Sequence, residues 1–260
     1  MRYLVLIIAL LFPYNAVADQ SPQQKLLKNA TYVLEEILST PDMEIPSGLI
    51  SKAKAIIIFP TMLKVGFIGA VRYGKGVATT RDVETGEWSP PAFFTTIGGS
   101  FGFQAGAQVV DLVLIITTER GLNGLLENNF TLGGDIAVTA GPVGRYAEAG
   151  VDLFLQGDVY SYSRSKGIFV GISIKGTVIK PNWKYNREYY KQNLSPSEIM
   201  ISQVAENIPE TSRRFMRDFN RLAPTQRVST LGRYDNRETR PGAETAVSQK
   251  PVAKQRKPLW

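Results

Sequence analysis

Two short motifs in this chain have the residue types of a nucleophilic centre. Gly98-Gly99-Ser100-Phe101-Gly102 matches G-x-S-x-G, the turn that presents a hydrolase serine, and Ser163-Arg164-Ser165-Lys166 matches S-x-x-K, where a lysine activates the serine. The first requires a general base, and its usual partner is missing because the 260 residues contain no His. It reads instead as a glycine-rich strand or turn. The second belongs with a K-T-G strand, whereas the order here is Lys175-Gly176-Thr177, and Tyr160 to Lys166 alternates like a strand running into a turn rather than opening a helix. With no Cys either, disulfides, thiolate nucleophiles and Cys-based zinc or iron–sulfur sites are excluded. Remaining acid–base chemistry falls to carboxylates. Asp111, Asp135, Asp152 and Asp158 share one region, and glycoside hydrolysis would need two of them about 5 to 10 Å apart. Turn caps, salt bridges and solvated strand positions are the other roles open to them. No phosphate-cradling G-x-x-x-x-G-K-[ST] loop occurs, and no G-x-G-x-x-G follows a strand and opens a helix. Neither a nucleotide cofactor nor a metal centre is expected.

The elements that must carry these residues are of two kinds. From Gly66 to Gly176, 111 residues hold 20 of the 23 glycines, a density that helices do not tolerate. Strand-like runs lie between them: Ala55 to Phe59, Val65 to Val71, Leu112 to Thr118, Ile136 to Ala140, Val151 to Leu155 and Ile168 to Ile174. In the last, Ile168, Val170, Ile172 and Ile174 fall on one face. Glycine inside strands marks bends and close approaches, so the expectation is an α+β fold. Its mostly antiparallel Gly-rich sheet is strongly curved or barrel-like, with α-helices flanking it at the N- and C-terminal ends. Ser21, Pro22 and Gln24 form a capping box ahead of apolar residues at helical spacing, and Thr40-Pro41 ends that helix. Glu119 to Glu127 fits a short helix. Ser195 to Glu198 opens another that runs to about Asn207, and Glu210 to Leu222 makes a last one with Phe215, Phe219 and Leu222 on one face.

The net charge of +7 is unevenly placed. From Arg213 onward there are 12 Lys/Arg against 4 Asp/Glu, which leaves residues 1–212 at −1. A nucleic-acid partner is therefore not expected, because the body of the chain lacks a basic stripe. Residues 1–18 read as a signal peptide: Arg2, the apolar run Tyr3 to Phe12, then Ala16-Val17-Ala18. Ten apolar residues fall short of the roughly 20 that span a bilayer. The expected organisation is a signal at 1–18, a domain at 19–223 and a basic, disordered tail at 224–260.

A series of motifs carries a family pattern. Ala53 to Pro60, Lys64-Val65-Gly66-Phe67, Gly74-Lys75-Gly76-Val77 and Gly86 to Phe93 are followed by Gly102 to Gly106 with Asp111-Leu112-Val113. Gly133-Gly134-Asp135, Gly141 to Arg145, Tyr160 to Gly171 and Asn186 to Tyr190 complete it. In this order and spacing, over roughly residues 25–203, the chain resembles the SYLF domain, a lipid-binding family. The resemblance implies a non-enzymatic phospholipid-binding module. Eukaryotic relatives are associated with phosphoinositides, membrane remodelling and actin, and signal-bearing relatives are bacterial cell-envelope proteins. Trp88, Asp111, Asp135 and Arg145 stand out in the pattern as fold determinants, and a buried Asp–Arg pair among them would be structural.

The leading expectation is thus an exported, periplasmic or secreted protein that binds phospholipids or an anionic membrane surface. Lys52, Lys54 and Lys64 flank the first apolar strand, with Arg72 and Lys75 nearby, and are the candidate headgroup contacts. The competing reading is a structural or interaction module of the envelope with a protein partner. A carboxylate-based hydrolase stands third.

Overall fold

The computed structural model describes residues 20–40, 45–66, 69–101, 106–127, 130–143, 157–165, 168–172 and 174–225. The expected signal peptide, most of the tail, the Val151–Leu155 run and Arg145 lie outside these residues. Helix α1 (Pro22–Ser39) begins at the anticipated capping box: Ser21 Oγ accepts from Gln24 N while Gln24 Oε1 accepts from Ser21 N, and Thr40 caps the other end. Its apolar stripe of Leu26, Leu27, Ala30, Val33, Leu34 and Ile37 is buried. A single turn, α2 (Ser47–Ser51), leads into the sheet.

Among the described residues nine strands form one sheet. β1 (Ala55–Gly66), β2 (Gly69–Thr80), β3 (Ala92–Phe101) and β4 (Gly106–Ile116) are long; β5 (Phe130–Leu132), β6 (Val138–Ala140), β7 (Val159–Ser165), β8 (Ile168–Gly171) and β9 (Thr177–Pro181) are short. The order is β5-β9-β3-β2-β1-β4-β7-β6, with β8 on β7. Every pairing is antiparallel except β6 with β7. A bridge between Leu132 and Ile136 ties the β5 edge to the segment leading into β6, so the sheet is curled nearly shut. This is the barrel-like α+β architecture expected from the glycine density. Gly76 shows the mechanism: a Cβ there would sit 2.3 Å from Phe59 Cδ1, so only a bare backbone lets Phe59 lie across the lumen.

Four further helices lie among the described residues: α3 (Glu119–Leu126) between β4 and β5, then α4 (Trp183–Tyr190), α5 (Pro196–Met200) and α6 (Glu210–Leu222). Helix α5 is far shorter than its spacing suggests. Gln203 takes a left-handed φ of 50°, and Val204 N donates back to Glu198 O, which closes the helix early. Helix α4, not anticipated, is nucleated by Asn182, whose side chain accepts from Tyr185 N.

Strand faces also differ from the simplest reading. The Val65–Val71 run is a hairpin rather than one strand, since β1 ends at Gly66 and β2 begins at Gly69. In β8 the apolar residues Ile168 and Val170 face solvent, and the intervening Phe169 is buried. The core itself spans both faces of the sheet. Ala55 to Phe59 and Leu112 to Ile116 are buried without a break, because the lumen takes one side and the helices cover the other.

Candidate functional site

The motifs with catalytic residue types are built into the scaffold. Gly98 to Phe101 is the end of strand β3, not a strand–turn–helix elbow. Ser163 is buried in β7, opposite Leu112 and Val170. Among the described carboxylates, Asp111 Oδ2 accepts from Arg164 Nε at 2.6 Å and Asp111 Oδ1 from Thr61 N at 2.8 Å. Asp158 accepts from Thr118 Oγ1 and Ala137 N, and Asp135 from Thr131 N within its own turn. All three are structural ties, and Asp152 lies outside the described residues. Asp111 therefore pairs, largely out of solvent, with Arg164, which is not in the signature set; Arg145, the arginine of that set, lies outside the described residues. Trp88 is buried, with its indole N–H donating to Ala223 O.

The five candidate cations fall in three places. Lys52, which caps α2, and Lys54, whose ammonium is 2.5 Å from Glu119, sit at the start of β1. Lys64 and Arg72 face each other across β1 and β2. They share a face with Gln108, whose amide donates to Ser165 Oγ, and burial pushes the Arg72 guanidinium below its ordinary range. Lys75 lies on the opposite face, donating to Tyr185 Oη at 2.8 Å with its ammonium 4.4 Å from that ring centre. The hydrogen bond to Tyr185 holds it above the usual lysine range. These cations do not converge on one pocket.

What the sheet does assemble is apolar. Beyond the bulge at Thr61, where φ is 55°, the strands run past the covering helices. In one cross-strand row Ile97, Tyr73, Leu63 and Val109 are direct neighbours on β3, β2, β1 and β4, and Val65 pairs with Val71 in the next row. All six are 45–61% exposed. Val178 on β9 continues the first row beside Ile97. Strands about 4.8 Å apart make that row roughly 20 Å long. On the helix side, a groove of about 380 Å³ lined by Lys25, Leu26, Leu63, Tyr73 and Tyr185 separates it from α1. Lys75 and Lys180, both opposite Thr95, flank the patch on the same face. Monomeric soluble domains rarely leave so continuous an apolar surface bare without using it. Period-two alternation in Leu63-Lys64-Val65 and Val71-Arg72-Tyr73 signals this face; the sequence could not show that the helices stop short of it.

The described residues thus form a curled, glycine-rich sheet with helices packed on its outer side and an uncovered apolar strip, and comparison with known proteins gives its family. Residues 97–221 match the family model Ysc84, described as "Las17-binding protein actin regulator". The chain is 32% identical over 193 residues to the SH3 domain-containing YSC84-like protein 1 of Bos taurus, covering 74% of this chain and 55% of the relative. It is 33% identical over 195 residues to LAS seventeen-binding protein 3 of Saccharomyces cerevisiae, covering 74% of this chain and 42% of that one. The human YSC84-like protein 1 aligns at 29% over 248 residues, 93% of this chain and 70% of that one. The chain belongs to the Ysc84, or SYLF, family. It spans about half the length of the bovine and yeast relatives it matches, and those relatives are named as binding or domain-containing proteins.

Proposed function

We propose that this protein is a non-enzymatic phospholipid-binding domain that docks on anionic membranes through the outer apolar strip. The carrying observation is the row Ile97–Tyr73–Leu63–Val109, exposed and flanked by Lys75 and Lys180. Apolar side chains gain by leaving water, and the two ammonium groups at their border suit lipid phosphates. Arg2, the Tyr3–Phe12 run and Ala16-Val17-Ala18 support export to a bacterial cell envelope, where the surface would be a phospholipid leaflet. The basic residues from Arg213 onward would add a salt-sensitive attraction.

Flotation with vesicles of phosphatidylglycerol and phosphatidylethanolamine tests this reading. The wild type is expected to float, and Leu63→Asp/Val109→Asp to bind at least tenfold more weakly with an unchanged Tm, since both positions are exposed. A wild type that floats with no vesicle at low salt, or a double variant that binds undiminished, overturns it. A second reading has support in the description "Las17-binding": the same strip would hold a protein partner. Pull-down of one stoichiometric protein through Leu63 and Val109, without vesicle binding, would favour that alternative.

A further inference from the structure

At the far end of β1 from the apolar strip, a groove of about 480 Å³ opens between the end of α2, the β2–β3 turn, α3 and α5. Its apolar wall is made by Leu122 and Leu126 from α3 and by Met200 at the end of α5 with the following Ile201, and Lys52 and Lys54 line its rim. Arg81 stands at its edge. The guanidinium lies 4.4 Å from the Trp88 ring centre and donates to Ile50 O, Ala223 O and Thr225 Oγ1. All three are neutral acceptors. Among the described residues no carboxylate lies within ion-pair distance of it, and its Nε is buried without a hydrogen-bond partner. Burial alone lowers Arg81 to about 10, so the fold holds a charge at a cost that a bound anion would offset.

The two acids in the groove wall do not supply that anion. Asp82 is turned into its own loop, accepting from Glu84 N, Thr85 N and Thr85 Oγ1. Glu119 is taken by Lys54. A cation without a counter-ion beside an apolar trough of this size matches one kind of occupant: a small anionic head on a single hydrocarbon chain.

We propose that this groove binds a single-chain anionic amphiphile, with its phosphate or carboxylate on Arg81 and its chain along Leu122, Leu126, Met200 and Ile201. The site is separate from the membrane-docking strip and does not depend on it. A lysophospholipid and a free fatty acid share this chemistry.

The test is isothermal titration of the full chain, below the critical micelle concentration, with dodecyl phosphate, dodecanoate, dodecyl maltoside and inorganic phosphate. Both anionic amphiphiles are expected to bind and to raise Tm, with dodecyl maltoside and inorganic phosphate at least tenfold weaker. Tighter dodecyl phosphate assigns the head to a phospholipid source, and tighter dodecanoate to a fatty acid. Arg81→Gln should lose binding at least tenfold, but it also removes ties to Ala223 and Ile50. Ile201→Glu, at a half-exposed wall position, therefore provides the second variant: its Tm should hold while amphiphile binding is lost and vesicle flotation persists. Dodecyl maltoside binding as well as dodecyl phosphate, Ile201→Glu binding undiminished, or no anionic amphiphile binding at all would overturn the proposal. Flotation decided by Leu63 and Val109 reports on the other site alone.

Discussion

Arg164 Nε donates to Asp111 Oδ2 at 2.6 Å, and the same guanidinium reaches the Glu36 carboxylate on α1. One arginine thereby joins β7, β4 and the N-terminal helix, with Tyr32 and Phe169 rings on its flanks. The other Asp111 oxygen accepts from Thr61 N, at the left-handed residue of the bulge that lets β1 continue beyond the helices. Asp111 is thus a structural hub for the edge of the apolar strip.

Asp111→Ala should cost about 3 kcal/mol, since it breaks a buried pair and strands the Thr61 N–H as well. Glu36→Gln should cost about 1 kcal/mol, because the Glu36 side chain as a whole is one-third exposed and its amide replacement can still accept from Arg164. Urea unfolding of both variants checks the ranking, and an Asp111→Ala protein within about 0.5 kcal/mol of wild type would refute it.

Glycine in the strands can be tested by contrast. At Gly76 an added methyl would meet Phe59 Cδ1 at 2.3 Å and the Ile58 carbonyl oxygen at 2.6 Å, and the latter is backbone that cannot rotate away. Gly76→Ala should lose about 2–3 kcal/mol or fail to fold. Gly99, also in a strand, has nothing within 4 Å of the place an added methyl would take. Gly99→Ala should leave Tm close to that of the wild type, and equal losses at both positions would remove close packing as the reason for Gly76.

These residues also mark what the sequence discloses. Capping chemistry is local, so Ser21, Ser195 and the Pro209 break place the starts of their helices correctly, and glycine density announces a curled sheet before any strand is paired. Arg164 as the partner of Asp111 is not readable, because 53 positions separate them and only the β4–β7 register brings them together. The candidate cations fare similarly: Lys52, Lys54, Lys64, Arg72 and Lys75 are close in sequence, yet strand alternation and the length of β1 distribute them over two faces and two ends of the sheet. Arg81 and the apolar strip depend on where helices stop, which no local pattern encodes.

The second capping box predicts an acid response. Glu198 accepts from Ser195 N and Ser195 Oγ, and these hydrogen bonds hold its carboxyl below the ordinary glutamate range. A depressed folded pKa means that the stabilisation is present above the usual value near 4.5 and is lost as pH falls through the lower folded value. Wild type should therefore lose more stability than Glu198→Gln between about pH 5 and about pH 3. Parallel acid melting curves for the two proteins would contradict this role.

Trp88 sets the shortest C-terminal end that can fold well. Its indole N–H donates to Ala223 O and its backbone N–H to Asn220 Oδ1, while Phe219 meets its ring edge-on at 5.9 Å. The Ala223 carbonyl also accepts from Arg81, and Thr225 Oγ1 bridges Arg81 to the Gly86 turn. A chain ending at Thr225 keeps all of these bonds and should match the full-length Tm. A chain ending at Leu222 strands the Trp88 indole and two Arg81 donors in a buried place, at a cost of about 2–4 kcal/mol. In vesicle flotation the Thr225-terminated protein should keep the salt-resistant binding through Leu63 and Val109 and show a weaker salt-sensitive part, because it retains the strip and gives up the eight Lys/Arg that follow Thr225. Equal stability of the two truncations would show that Ala223 and Thr225 are not part of the folded unit, and an unaltered salt dependence would remove the basic segment from membrane attraction.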